Sequence, residues 1–146
     1  MYLIDTDVIS AGAPARARSF ASVKAWMELN SERLFLSVIT AAEIEDGIAK
    51  ARREGARRKA ADLAAWFETV LHLYGDKILP FDIGAARIAG RLSDRARGNG
   101  HAPGFADLAI AATAVANRLT MLTRNLRHFV PLGVPALDPF AGLPPD

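Results

Sequence analysis

Three carboxylates, Asp5, Glu43 and Asp107, lie far apart in the sequence, yet each stands close to where a strand-like run gives way to a helix-like one. Carboxylates gathered at one place repel one another unless a cation neutralises them. An all-oxygen site of this kind suits a hard ion such as Mg²⁺ or Mn²⁺. Such an ion activates water and stabilises charge that builds on a phosphate, so phosphodiester hydrolysis is the chemistry these residues suggest. Each acid also has a structural explanation. Asp5 could cap the helix that follows it, although Thr6 or Asp7 could fill that role. Thr40-Ala41-Ala42-Glu43 fits a capping box, in which the glutamate reaches back to a backbone amide. Asp107 sits in the first turn of a helix, where the dipole favours an acid. The argument for function rests on the conjunction of all three.

Other chemistries find less support. Asp5-Thr6-Asp7 satisfies the short Asp-x-Asp signature of a haloacid-dehalogenase-type phosphatase, but such an enzyme needs further acids after its fourth strand. Here Thr123-Arg124-Asn125 stands in that place, and no lysine follows Lys77 to serve a phosphate-receiving domain. Ser10 and Ser37 lack a triad motif. The chain has no cysteine, which excludes disulfides, thiolate zinc sites and cysteine nucleophiles. Of the histidines, His72 reads as structural, His101 falls in a loop, and His128 alone lies near the proposed site.

The 146 residues suit one domain over 1–146, with 51% hydrophobic and 23% charged residues and no run long enough to span a membrane. The start Met1-Tyr2-Leu3-Ile4-Asp5 lacks a secretory pattern, so a cytoplasmic protein is expected. A net charge of +2 hides clustering. Lys50, Arg52, Arg53, Arg57, Arg58 and Lys59 crowd one stretch, and Arg87, Arg91 and Arg95 recur every four residues on one helix face. Both are candidate phosphate contacts, and both are equally explained as solvated helix surface balanced by Glu54, Glu68 and Asp94.

The elements that must position the acids follow from apolar spacing. Residues 2–5 read as a buried strand, with a brief helix from Asp7 or Val8. Gly12-Ala13-Pro14 breaks it, and the next helix begins near Ser19. Residues 34–38 read as a second strand, and Thr40 opens a helix to about Arg53. After Gly55 a longer helix carries Leu63, Trp66, Phe67, Val70, Leu71 and Tyr74 on one face. Residues 77–80 read as a third strand, and a helix then runs to about Arg97. A loop covers 98–104, a small-residue helix 105–119, a fourth strand 120–123 and a short edge strand 134–138. Strands alternating with helices predict an α/β fold with a parallel sheet covered on both faces. In such a sheet functional groups collect beyond the strands' carboxyl ends, where strand order reverses.

The segments 1–10 (MYLIDTDVIS), 37–44 (SVITAAEI), 107–114 (DLAIAATA) and 122–125 (LTRN), in this order and spacing, resemble the PIN-domain family, in particular its VapC-type toxins. The resemblance runs from residue 1 to about Phe140. It implies a PIN-like three-layer domain with about five parallel strands between helices. It also implies a Mg²⁺- or Mn²⁺-dependent ribonuclease that is the toxin of a toxin–antitoxin pair, an RNA substrate, a small antitoxin partner and a homodimer. Carried across, Asp5 and Asp107 match the principal metal ligands and Glu43 the acid after the second strand. Thr123, Arg124 and Asn125 match the polar turn after the fourth. The assignment is thus catalytic for Asp5, Glu43, Asp107 and Asn125, and substrate-positioning for Thr6, Thr123 and Arg124. Two departures stand out. Family members often carry a further acid in or just after that turn, where this chain has Asn125 and His128, and Asp7 replaces a common asparagine. A catalytically degenerate module that only binds an antitoxin or RNA is the alternative reading.

Overall fold

The structure is a computed structural model that describes residues 1–14 and 20–145. Five short strands form one sheet: β1 (Tyr2–Ile4), β2 (Leu34–Ser37), β3 (Ile78–Leu79), β4 (Thr120–Leu122) and β5 (Ala136–Leu137). Every pairing is parallel, and the spatial order is β3-β2-β1-β4-β5. Tyr2, Leu3 and Ile4 are all buried because β1 lies at the centre, covered on both faces. The pleat sends Tyr2 and Ile4 into one core and Leu3 into the other.

The first core lies under α1 (Thr6–Ser10), α2 (Ala21–Leu29), α3 (Val38–Arg53) and α4 (Arg57–Tyr74), which contribute Val8, Trp26, Ile44, Ile48, Phe67 and Val70. The second lies under α5 (Ile83–Gly98), α6 (Phe105–Ala116) and α7 (Leu126–Phe129), with Leu92, Leu108, Ile110 and Phe129. No described helix is long and apolar enough to cross a membrane. The chain runs outward from β1 to β3, then returns to pair β4 against the other side of β1. Strand order therefore reverses between β1 and β4, the place where the sequence predicts functional groups.

Element boundaries differ from the sequence reading in ways that have local causes. α1 begins at Thr6 rather than Asp7 or Val8, because the Asp5 carbonyl accepts the amides of both Val8 and Ile9. Ser19 lies outside the described residues, and α2 is described from Ala21. β2 ends at Ser37 and α3 opens at Val38, because the Ser37 hydroxyl accepts the Ile39 amide at 3.0 Å and starts the helix before Thr40. α3 and α4 are separated by Gly55, whose φ of 81° is a left-handed conformation that glycine adopts without steric cost. α6 stops at Ala116 rather than Leu119, since Arg118 takes a φ of 55° and the Leu119 amide turns back to the Ala114 carbonyl.

Candidate active site

Asp5 directly follows β1 and is 5% exposed. Its Oδ1 accepts the Thr6 amide at 2.8 Å, so Asp5 itself is the N-cap of α1, a role that neither Thr6 nor Asp7 fills. Its Oδ2 accepts the Thr123 hydroxyl at 2.8 Å. Capping therefore uses one oxygen of the acid, and a residue from across the switch point holds the other. Burial, then the charge of Asp7 and further off that of Asp107, push the Asp5 carboxyl up to about 7, against the hydrogen bonds of Thr123 and Thr6.

The turn after β4 is tied to the start of α1. Thr123 is fully buried and accepts the Asn125 amide at 3.0 Å, so its hydroxyl serves Asp5 and the turn and does not reach solvent. Asp7 Oδ2 accepts the Arg124 amide at 3.1 Å and the Asn125 side-chain amide at 3.0 Å. Asp7 Oδ1 is buried and has no partner among the described residues. Burial raises the Asp7 pKa, against the amide and charge of Arg124. The Arg124 guanidinium lies over the Phe140 ring at 4.8 Å, so its side chain packs on the C-terminal segment.

Glu43 lies on α3 and does not complete a capping box, because Thr40 is in the helix and Ser37 is the cap. Instead the Thr6 hydroxyl donates to Glu43 Oε1 at 2.6 Å and shares a hydrogen bond with the Thr40 hydroxyl at 3.1 Å. This leaves Glu43 an exposed acid fastened to the residue after Asp5. Asp107 occupies the first turn of α6, and its Oδ2 lies 2.9 Å from His128 Nδ1. Asp5, Asp7, Thr123 and Asn125 thus form one connected group. Glu43 joins it through Thr6, and Asp107 adjoins it through space.

Among the described residues, no three His, Asp or Glu side chains are grouped to hold a metal ion as they stand. Glu43 is held by Thr6 and Asp107 by His128. The donor chemistry nevertheless fits a hard divalent cation. The acids offer oxygen alone, and Asp5 carries a carboxyl that burial, and then the charges of Asp7 and Asp107, disfavour as an anion. An unpartnered buried oxygen of Asp7 lies two residues on. Sequence reasoning left two features without a role: the Asp7 link to the 124–125 turn and the His128 contact to Asp107. The place of His128, three residues beyond Asn125, was the available signal for the second.

Comparison with known proteins agrees with this architecture. A PIN domain family model matches residues 2–130. The VapC ribonuclease Y4jK of Sinorhizobium fredii is 37% identical over 141 residues, covering 96% of this chain and 98% of that protein. Toxin FitB of Neisseria gonorrhoeae is 34% identical over 141 residues, covering 96% and 99% respectively. A chain in the crystal structure of FitAcB from Neisseria gonorrhoeae superposes with a TM-score of 0.81 at 35% identity, covering 96% of this chain and 99% of its own. The family match takes in Asp5, Glu43, Asp107, Asn125 and His128 together with β1 to β4, and ends before β5. The chain belongs to the PIN-domain family.

Proposed function

We propose that this single-domain chain is a metal-dependent endoribonuclease that hydrolyses RNA phosphodiesters, and that it is the toxin of a type II toxin–antitoxin pair acting in the cytoplasm. The observation that carries the reading is the buried Asp5 carboxylate at the strand switch point, whose ionisation burial and the charges of Asp7 and Asp107 oppose, with no cationic side chain among the described groups that act on it. The names of the relatives, VapC ribonuclease and toxin FitB, support the substrate and the biological role.

Asp5 and Asp107 would hold Mg²⁺ or Mn²⁺, with Glu43 beside them. When bound, the ion supplies Lewis-acid stabilisation of charge on the scissile phosphate and lowers the pKa of water. Thr123 and the Thr6 amide fix the two Asp5 oxygens, so that ligand needs little reorganisation. Glu43, oriented by the Thr6 hydroxyl, accepts a hydrogen bond from the attacking water and takes its proton. Asp7 and Asn125 lock the turn after β4 against α1 and keep Thr123 in place.

The partner is an antitoxin. A groove of 720 Å³ between α3 and α4 has Ile44, Ile48, Leu63 and Trp66 along it and reaches Thr6 and Glu43 at the site. An apolar antitoxin segment laid there would cover Glu43 and block substrate. The same chain is expected to homodimerise through the face that carries exposed Ile83 and Phe105, the latter packed edge-on against Phe81. Sedimentation equilibrium is expected to give a dimer that Ile83→Glu with Phe105→Glu reduces to a monomer.

One observation favours a non-catalytic binding module: the carboxylates are not gathered into a ligand set as they stand. Incubation of the purified protein with RNA, with Mg²⁺ or with a chelator, separates the two readings. The nuclease reading expects cleavage that chelation abolishes and that Asp5→Asn or Asp107→Asn removes without loss of fold. A fully active Asp107→Asn protein, or RNA binding without turnover in Mg²⁺ and Mn²⁺, overturns it.

A further inference from the structure

A second, smaller pocket of 300 Å³ opens beside Asp107, lined by His101, Gly104, Asp107, Arg127, His128 and Pro131. Asp107 is its one acid and is already engaged by His128. The remaining side-chain charge is basic, and Arg127 is exposed and makes no ion pair among the described residues. No side chain caps Gly104, so the first amides of α6, a helix of 12 residues, have no side-chain acceptor. Uncapped amides beside an arginine and two histidines make a place for an anion.

A basic ladder leads to this pocket. Arg87, Arg91 and Arg95 are exposed on α5, and none is in an ion pair among the described residues. At four-residue intervals they rise about 6 Å apart along the helix. The last of them reaches Gly133, where a Cβ would stand 3.5 Å from Arg95 Nη1. Gly133 follows the 130–132 turn, and Pro131 and Leu132 of that turn line the pocket. An isolated anion would need the pocket alone, whereas a polyanion uses both pocket and ladder. The groove between α3 and α4 is mostly apolar in lining and suits a polymer of phosphates less well.

Resting on the ribonuclease reading above, we propose that this pocket is a subsite for a backbone phosphate of single-stranded RNA flanking the bond to be cut, with the strand entering along Arg87, Arg91 and Arg95. A flexible single strand can follow the ladder and still place a phosphate beside Asp107. The contacts are to the backbone, so they set register and carry no base preference.

The test is binding of a fluorescein-labelled single-stranded RNA oligonucleotide to the full chain in chelator, followed by anisotropy across a salt series. A lost phosphate contact lowers the slope of log affinity against log salt by about 0.7. Arg127→Ala is expected to lower the slope by about 0.7 and Arg95→Ala with Arg127→Ala by about 1.4. Arg52→Ala with Arg53→Ala, at the far end of α3, is expected to leave the slope unchanged. Unchanged slopes for the first two variants, in a wild-type protein that binds and cuts RNA, overturn the subsite and leave the nuclease reading standing. A wild-type chain that neither binds nor cuts RNA in Mg²⁺ or Mn²⁺ overturns both.

Discussion

At the scale of single residues, Asp5 is a carboxylate that the fold makes costly to ionise. Its ordinary value is 3.8 and its folded value about 7, so between those limits the folded chain keeps a proton that the unfolded chain releases. Stability of the metal-free protein therefore falls as pH rises from about 4 to about 7, and levels off above. A shift of that size corresponds to at most about 4 kcal/mol. Asp5→Asn removes the titration while keeping an oxygen for the Thr6 amide, so in chelator the variant is expected to be the more stable protein at pH 8. Near pH 4 the two should converge. Urea unfolding at the two pH values checks this, and a variant less stable than wild type at pH 8 would contradict it. The identity of this acid was legible in the sequence because it ends an apolar run. Its second oxygen's partner, Thr123, was not, because nothing local links residues 118 positions apart.

At the scale of elements, the junction between β2 and α3 separates two explanations of Glu43 that the sequence left open. The spacing Thr40 to Glu43 suits a capping box, but spacing alone cannot say which of Ser37 and Thr40 begins the helix. The Ser37 hydroxyl takes the Ile39 amide, which pulls the first turn three residues earlier and leaves Glu43 facing Thr6. Ser37→Ala is therefore expected to cost about 1 kcal/mol in chemical denaturation. Glu43→Gln should cost little stability and impair RNA cleavage. The reverse pattern, with Glu43→Gln destabilising and Ser37→Ala silent, would restore the cap as the reason for the glutamate. Helix and strand order were readable throughout because the apolar spacing of long helices such as α4 is strong. The ends were less so, since they depend on single hydroxyls and on backbone turns such as that at Arg118.

At the scale of the whole molecule, a parallel sheet with one reversal of strand order sets a central crevice; the sequence pattern of alternating elements was enough to predict a parallel sheet with functional groups beyond its strands' carboxyl ends, but not that the reversal falls between β1 and β4. What pattern could not supply was the state of the acids within it: Asp5 and Asp7 joined to one turn, Glu43 and Asp107 engaged elsewhere. That state makes cation binding a folding term for the entire domain. An ion that binds the folded chain alone at a hundred times its dissociation constant stabilises by about 2.7 kcal/mol, which for a domain of this size raises the melting temperature by about 8 °C. Because the ion must displace the proton held by Asp5, this gain should be large at pH 8 and small at pH 5. Melting curves with Mn²⁺ and with chelator at both pH values test the coupling. An equal rise at the two would place the ion away from Asp5, and loss of the rise in Asp107→Asn as well as Asp5→Asn would show that residues brought together from β1 and α6 hold it jointly.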